Sequence, residues 1–132
     1  MTKPLRILVA DDDAMARLGY RAMLEFAGHT VLVAQDGEEA TRLLERGGVD
    51  LLLLDVLMPR KEGLETLLEV KRRFPATPVV VMSAGGIRSE FDFLAVAAKL
   101  GADRTLHKPI TQNDLISLAE EFRSVAGSHA RH

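Results

Sequence analysis

The sequence predicts an α/β domain built on a doubly wound, five-stranded parallel sheet with five helices. Short apolar segments alternate with segments of helical periodicity along the chain, which is typical of successive β-α units. Two apolar segments, LLLL at 51–54 and VVVM at 79–82, contain no polar alternation, which indicates strands covered on both faces. Strands joined in this way by helices and short links form parallel sheets, and we expect the common strand order 2-1-3-4-5.

The predicted elements follow one another without a linker or an internal repeat. The first strand is the apolar run from Leu5 to Ala10, and helical spacing then begins at Met15 and ends before Gly28. Asp36, with Glu39 three residues later, forms a capping pair for the second helix. The predicted strands are 5–10, 30–34, 50–54, 79–83 and 104–107, and the predicted helices are 15–26, 36–46, 64–74, 89–100 and 113–126.

Length and composition indicate one folded domain. The chain has 132 residues, 47% of them hydrophobic and 27% charged, with a net charge of −2. We expect residues 1–126 to form this domain and 127–132, GSHARH, to be a disordered tail because it has nothing to bury. The chain has no cysteine, so a disulfide framework and a thiolate metal site are excluded.

Several partner classes are disfavoured by the same observations. No segment approaches the roughly 18 apolar residues of a membrane span, and the N-terminal apolar run ends in acids, unlike a signal peptide. We therefore expect a cytoplasmic protein without a membrane partner. The only compact basic cluster, 71–73, falls where a helix ends, where cations favour the helix dipole, so no nucleic-acid partner is predicted.

Three carboxylates follow neighbouring strands of the predicted sheet. Asp11 and Asp12 come after the first strand and Asp55 after the third, while Asp13 directly precedes a helix and is predicted to be its N-cap. Carboxyl ends of such strands share one edge, and carboxylates brought together there repel unless a cation lies among them. Each acid alone would equally suit a solvated strand end, but the three together favour a site for Mg²⁺ or Mn²⁺, which prefer oxygen ligands.

Two more polar side chains follow strands at the same edge. Ser83 ends the fourth predicted strand with a hydroxyl, and Lys108 follows the fifth with an ammonium group. A carboxylate nucleophile, a metal pocket, a hydroxyl and a lysine form the set needed to move a phosphoryl group onto a carboxylate.

These residues resemble the receiver domain of two-component response regulators, a flavodoxin-like family. The resemblance covers residues 5–126 and rests on ILVADDD, DVLMPRKEG, VVVMSA and LGADRTLHKP, which contain Asp11, Asp12, Asp55, Ser83 and Lys108 in the family's order and spacing. It implies a stand-alone phosphoacceptor that takes its phosphoryl group from a sensor histidine kinase or a histidine phosphotransfer protein in a Mg²⁺-dependent reaction. Such a domain signals by conformational change or by phosphorelay. It also implies that the domain is not an enzyme beyond its own phosphorylation and dephosphorylation.

The resemblance assigns a role to each matching residue. Asp55 would be the phosphoacceptor, Asp12 and Asp55 would bind Mg²⁺ directly, and Asp11 would act largely through water. The backbone carbonyl of Leu57 would be a further metal ligand. Ser83 would bind a phosphoryl oxygen, Lys108 would pair with the phosphoryl group, and the bond from Lys108 to Pro109 would be cis.

The sequence departs from the family pattern at the fifth strand. Thr105 stands where many members have an aromatic residue that changes rotamer on phosphorylation, so the signal is expected to travel by another route, such as the backbone or the fourth helix. That helix has two apolar stripes, of which only one can face the sheet. One stripe contains Phe91, Leu94, Ala95 and Ala98, and the other contains Phe93, Val96, Ala97 and Leu100. The other could form part of a docking or homodimer face with the fifth strand and fifth helix, or could simply reflect good helix formers.

An enzymatic alternative uses the same kind of fold. Phosphatases and phosphotransferases with an aspartyl nucleophile usually have a second acid two residues after it, but this position is Leu57, which removes the general acid. A nucleotide-binding module is a third alternative. The first turn, ADDDAMAR, is acidic where a phosphate-binding loop needs glycines.

Overall fold

Five strands and five helices alternate along the part of the chain that the structure describes. The computed structural model describes residues 3–56, 62–84 and 93–130, with side chains described as far as Arg123. The strands are β1 (Arg6–Ala10), β2 (Thr30–Ala34), β3 (Leu51–Asp55), β4 (Val79–Ser83) and β5 (Arg104–His107). The helices are α1 (Ala14–Phe26), α2 (Gly37–Glu45), α3 (Glu62–Arg73), α4 (Phe93–Lys99) and α5 (Gln112–Ala130).

The strands form one parallel sheet, as the sequence predicts. Their order is β2-β1-β3-β4-β5, and every neighbouring pair is parallel. β1 and β3 therefore lie side by side at the centre, which places the ends of these two strands next to each other. The flavodoxin-like doubly wound fold is confirmed.

Alternating residues of each strand bury against different helices. On one face, Ile7 and Val9 of β1 belong to a core with α1 and α5. On the other face, Leu8 and Ala10 belong to a core with α2, α3 and α4. Because both faces are covered, consecutive residues of the central strands are apolar up to the strand ends, and Leu51–Leu54 are all buried.

Helix α1 begins at the predicted N-cap. The side chain of Asp13 accepts a hydrogen bond from the backbone N–H of Met15 at 3.0 Å. The helix buries Tyr20 and Leu24 against the sheet. A second apolar stripe faces outward, in which Met15 and Leu18 are 75% and 61% exposed. The periodicity thus predicted the helix correctly without identifying which stripe meets the core.

The second helix also has its predicted caps. Asp36 accepts from the backbone N–H of Glu39 at 2.8 Å, and the Glu39 side chain accepts from the backbone N–H of Gln35 at 2.8 Å. The first bond satisfies a donor that the first helical turn leaves unpaired, and the second ties the residue before the N-cap to the helix.

Element boundaries differ from the predicted ones at a few positions. β3 includes Asp55, while Asp50 lies before it and accepts from the backbone N–H of Arg6 at 2.8 Å. α5 continues past the predicted end at Ala126 to Ala130, so the helix enters the segment predicted to be a disordered tail. Residues 131 and 132 lie outside the described part of the chain, and so do residues 89–92, where the fourth helix was predicted to begin.

The two stripes of α4 are assigned by burial. Ala97 is fully buried, and Phe93 and Leu100 pack against the same core, whereas Ala95 and Ala98 are exposed. The stripe that contains Ala97 therefore faces the sheet, and Leu94 of the other stripe also packs against this core. Phe91, a predicted member of the other stripe, lies outside the described residues.

The basic cluster lies at the end of α3, as predicted, and takes part in ion pairs. Lys71 pairs with Asp103 at 3.0 Å, and Arg73 pairs with Glu69 at 2.8 Å. Among the helices that the structure describes, none has the length and apolar character needed to span a membrane.

A buried histidine connects the start of β1 with α5. The backbone N–H of Leu5 donates to Nδ1 of His29 at 3.1 Å, and Nη2 of Arg123 lies 3.3 Å from Nε2. Burial lowers the pKa of His29, and the positive charge of Arg123 lowers it further, against a smaller opposing effect of Glu120.

Candidate functional site

The three predicted acids meet at the carboxyl ends of β1 and β3. Carboxylate oxygens of Asp11, Asp12 and Asp55 all lie within 4.8 Å of one another. Asp11 is fully buried and Asp55 is 5% exposed, whereas Asp12 is exposed to solvent. The site is thus an acidic pocket in which Asp12 lies on the side open to solvent.

The loop after β1 is held in place by contacts with Asp11. The backbone N–H of Asp11 donates to the carbonyl of Ala34 at 3.1 Å, and the backbone carbonyl of Asp11 accepts from Nη1 of Arg17 at 2.7 Å. The Oδ1 atom of Asp11 accepts from the backbone N–H of Asp13 at 2.9 Å. These bonds leave Oδ2 directed at the pocket, where it meets Lys108.

Lys108 links two of the acids. Its Nζ atom donates to Oδ2 of Asp11 at 2.8 Å and to Oδ2 of Asp55 at 3.3 Å. The backbone N–H of Lys108 donates to the carbonyl of Ser83 at 2.9 Å, which fixes the residue at the end of β5. The bond from Lys108 to Pro109 is cis, as predicted.

The lysine is firmly protonated. Burial alone would lower the pKa of Lys108, but the hydrogen bond to Asp11 and the charges of Asp55 and Asp11 outweigh that effect, so the pKa is raised above its ordinary range. The pocket therefore contains a fixed positive charge beside its carboxylates.

Ser83 completes the set of predicted side chains. It ends β4, where it is fully buried and pairs in register with His107 of β5. Because β4 lies beside β3, Ser83 stands at the same edge of the sheet as Asp55. Thr105 lies two register positions before the pair of Ser83 and His107, opposite Val81, and is half-buried.

The sequence reasoning did not identify Tyr20 as a member of this site. Its ring centroid lies 5.8 Å from Nζ of Lys108. Burial raises the pKa of Tyr20, the charge of Lys108 lowers it, the charges of Asp11 and Asp55 raise it, and a side-chain hydrogen bond with Lys108 lowers it; the net effect is a rise, which keeps the phenol neutral. The available signal was its position: it is the chain's only tyrosine and lies in the helix that follows the acidic loop.

The donor set suits a hard divalent cation. Three carboxylates supply only oxygen ligands, and the pocket already attracts an ammonium group. Asp11, Asp12 and Asp55 are therefore the residues that could hold Mg²⁺. The fourth predicted ligand, the carbonyl of Leu57, lies outside the described residues.

Fold and site together define a class of protein: a flavodoxin-like domain with an acidic pocket, a lysine and a hydroxyl at the carboxyl ends of its parallel strands. Comparison with protein families supports this class, because the family model of the response regulator receiver domain matches residues 7–120. The chain belongs to this family, the receiver domains of two-component systems.

Relatives and solved structures give the same result. The transcriptional regulatory protein CpxR of Klebsiella pneumoniae is 44% identical over 112 residues, which is 85% of this chain and 46% of CpxR. The response regulator MprA of Mycobacterium sp. (strain KMS) is 38% identical over 114 residues, 86% of this chain and 48% of MprA. A receiver domain protein from Clostridium thermocellum has a TM-score of 0.83 at 28% identity, covering 93% of this chain and 97% of that one.

The relatives are longer than this chain. The chain spans about half the length of CpxR and MprA. The activities of those whole proteins are therefore not assigned to this chain. The prediction that the present domain stands alone stays a prediction.

Proposed function

We propose that Asp55 accepts a phosphoryl group from a phosphohistidine, on a sensor histidine kinase or a histidine phosphotransfer protein, and that the phosphorylated domain then signals to a further protein. The proposal depends mainly on one observation. Asp55 is the last residue of β3, and its carboxylate lies beside those of Asp11 and Asp12 and beside the ammonium of Lys108. Family membership supports it, because response regulator receivers are phosphoacceptors as a class.

The proposed chemistry is one displacement at phosphorus. A carboxylate oxygen of Asp55 attacks the phosphorus, an O–P bond forms, and the P–N bond to the donor's imidazole breaks. Nζ of Lys108 donates to the carboxylate of Asp55 at 3.3 Å. It can instead donate this hydrogen bond to an incoming phosphoryl oxygen, and its positive charge then stabilises the negative charge of the phosphoryl group. Ser83, on the neighbouring strand, can donate its hydroxyl to another of those oxygens.

A divalent cation fits the proposal through the same residues. Asp12 and Asp55 would hold Mg²⁺ directly and Asp11 through water, as the family resemblance implies. When bound, the ion would supply positive charge to the phosphoryl oxygens during transfer.

The outward stripe of α1 is a suitable contact for the phosphoryl donor. Met15 and Leu18 are 75% and 61% exposed, and they lie in the first turns after Asp13, beside the open side of the pocket. A partner that reaches Asp55 must approach over this edge of the sheet. Apolar side chains there can bury surface with the partner while its histidine enters the pocket.

Output is proposed to use the other side of the pocket. The carbonyl of Ser83 accepts from the backbone N–H of Lys108, β5 contacts α4, and Leu106 of β5 packs against the core that includes α5. Ala95 and Ala98 on α4 are exposed, and Arg104 of β5 pairs with Glu121 of α5 at 2.9 Å. We place the docking of a downstream protein or a second copy on this α4-β5-α5 face, and we place the exchange in the cytoplasm, as the family resemblance implies.

The test is phosphorylation by a small donor. We expect the wild type, incubated with acetyl phosphate and Mg²⁺, to acquire one hydroxylamine-labile phosphoryl group, without turnover of the donor beyond slow hydrolysis. EDTA and Asp55→Asn should each abolish labelling. Asp36→Asn is the matched control, because it makes the same acid-to-amide change at an N-cap where asparagine serves equally well. Undiminished labelling of Asp55→Asn would refute the proposal, and rapid multiple turnover would favour the phosphatase alternative.

A further inference from the structure

We propose that Tyr20 is a positioning residue for phosphoryl transfer, whose ring holds the ammonium of Lys108 at the acceptor carboxylate. This inference rests on the proposed function. It assigns a role to a residue of α1 that acts through Lys108.

The ring is placed rigidly beside the lysine. Nζ of Lys108 lies 5.8 Å from the ring centroid, within the roughly 6 Å over which a cation is attracted to an aromatic face. Tyr20 is 7% exposed and belongs to the core that joins α1, β1 and α5. Its packing therefore prevents the ring from following the lysine, so the ring defines where the ammonium can lie.

The other contacts of Lys108 change during the proposed reaction. Asp55 loses its negative carboxylate when an O–P bond forms, and Asp11 shares its charge with a divalent cation when one is bound. The lysine is held by these two acids before transfer, at 3.3 Å and 2.8 Å. Tyr20 is the contact whose charge stays the same throughout, so it can keep the ammonium near the phosphoryl oxygens while the acids change.

Two substitutions separate the ring from the hydroxyl. Tyr20→Leu keeps an apolar side chain in the core but removes the aromatic face, and we expect the maximum phosphorylation rate to fall about fivefold. The half-saturating concentration of acetyl phosphate should stay the same, because the ammonium acts on charge that builds up during transfer. Tyr20→Phe keeps the ring, and its rate should remain within about twofold of the wild type.

A control substitution measures general loosening of α1. Leu24 lies one turn further along the same helix, is 1% exposed and belongs to the same core. Leu24→Val removes core volume there without changing the ring, so its phosphorylation rate should match that of the wild type. If Leu24→Val slowed phosphorylation as much as Tyr20→Leu does, the effect would come from packing, and the inference would be overturned.

The contact can also be observed without phosphorylation. The chain has one tyrosine and no tryptophan, so its near-ultraviolet circular dichroism above the phenylalanine bands reports on Tyr20. Lys108→Met, which removes the ammonium from the ring, should change this band. Lys71→Met, which removes an ammonium paired with Asp103, should leave it unchanged.

The outcomes are distinguishable. Slow Tyr20→Leu, near-normal Tyr20→Phe and a tyrosine band sensitive to Lys108 together support the inference. A wild-type rate in Tyr20→Leu, or an unchanged band in Lys108→Met, would overturn it while leaving the proposed function standing. Failure of the wild type to be phosphorylated would overturn both.

Discussion

Replacing Lys108 by methionine should destabilise the domain strongly when no divalent cation is present. The ammonium lies 2.8 Å from a carboxylate oxygen of Asp11 and 3.3 Å from one of Asp55, and these two side chains are 0% and 7% exposed. Removing one member of a buried charge group costs about 3–5 kcal/mol, because the remaining charges lose their partner. Since the lysine side chain is 18% exposed, we expect a loss near the lower end, about 3 kcal/mol.

Urea unfolding with EDTA and with Mg²⁺ measures this effect. Lys108→Met should lose stability in EDTA and recover most of it in Mg²⁺, because the ion replaces the missing positive charge. Lys71→Met is the matched control. It breaks the pair with Asp103 at 3.0 Å, where the two side chains are 22% and 37% exposed, so it should cost less than about 1 kcal/mol in either condition. Equal stability of Lys108→Met and the wild type in EDTA would refute the reasoning.

Further predictions concern parts of the fold outside the pocket. Burial and Arg123 lower the pKa of His29 from 6.5, so the unfolded chain binds a proton more readily, and the free energy of unfolding should fall as the pH drops below 6.5. His29→Gln should show a weaker fall in urea unfolding measured across this range, and an identical fall would contradict the assignment. Gly63→Ala should cost about 2 kcal/mol or more, because the added Cβ would lie 2.3 Å from Cα of Val56. Gly19→Ala, where a Cβ has nothing within 4 Å, should instead stabilise α1 by about 0.5–1 kcal/mol, and the same unfolding assay compares the two.

Much of the fold follows from local patterns in the sequence. Fully apolar runs such as Leu51–Leu54 indicate strands buried on both faces, and the structure buries each residue of that run. Capping pairs such as Asp36 and Glu39 mark where a helix begins. The acids of the pocket were predictable for a similar reason, because the carboxyl ends of parallel strands share one edge.

The remaining features depend on distant parts of the chain. Two apolar stripes on one helix have the same periodicity, so the sequence did not reveal that Tyr20 and Leu24 face the sheet while Met15 and Leu18 face outward. The contact between Lys108 and Asp11 joins residues 97 positions apart. Its geometry is set by how β5 packs in the sheet, which local patterns do not encode.

The most direct test of the account is the chemical identity of the phosphorylated residue. The protein is treated with acetyl phosphate and Mg²⁺, reduced with borohydride to convert an acyl phosphate to a homoserine residue, and mapped by peptide mass spectrometry. The account predicts homoserine at Asp55 in the wild type and none at this position when EDTA replaces Mg²⁺. Homoserine at a different acid, with Asp55 unchanged, would contradict it.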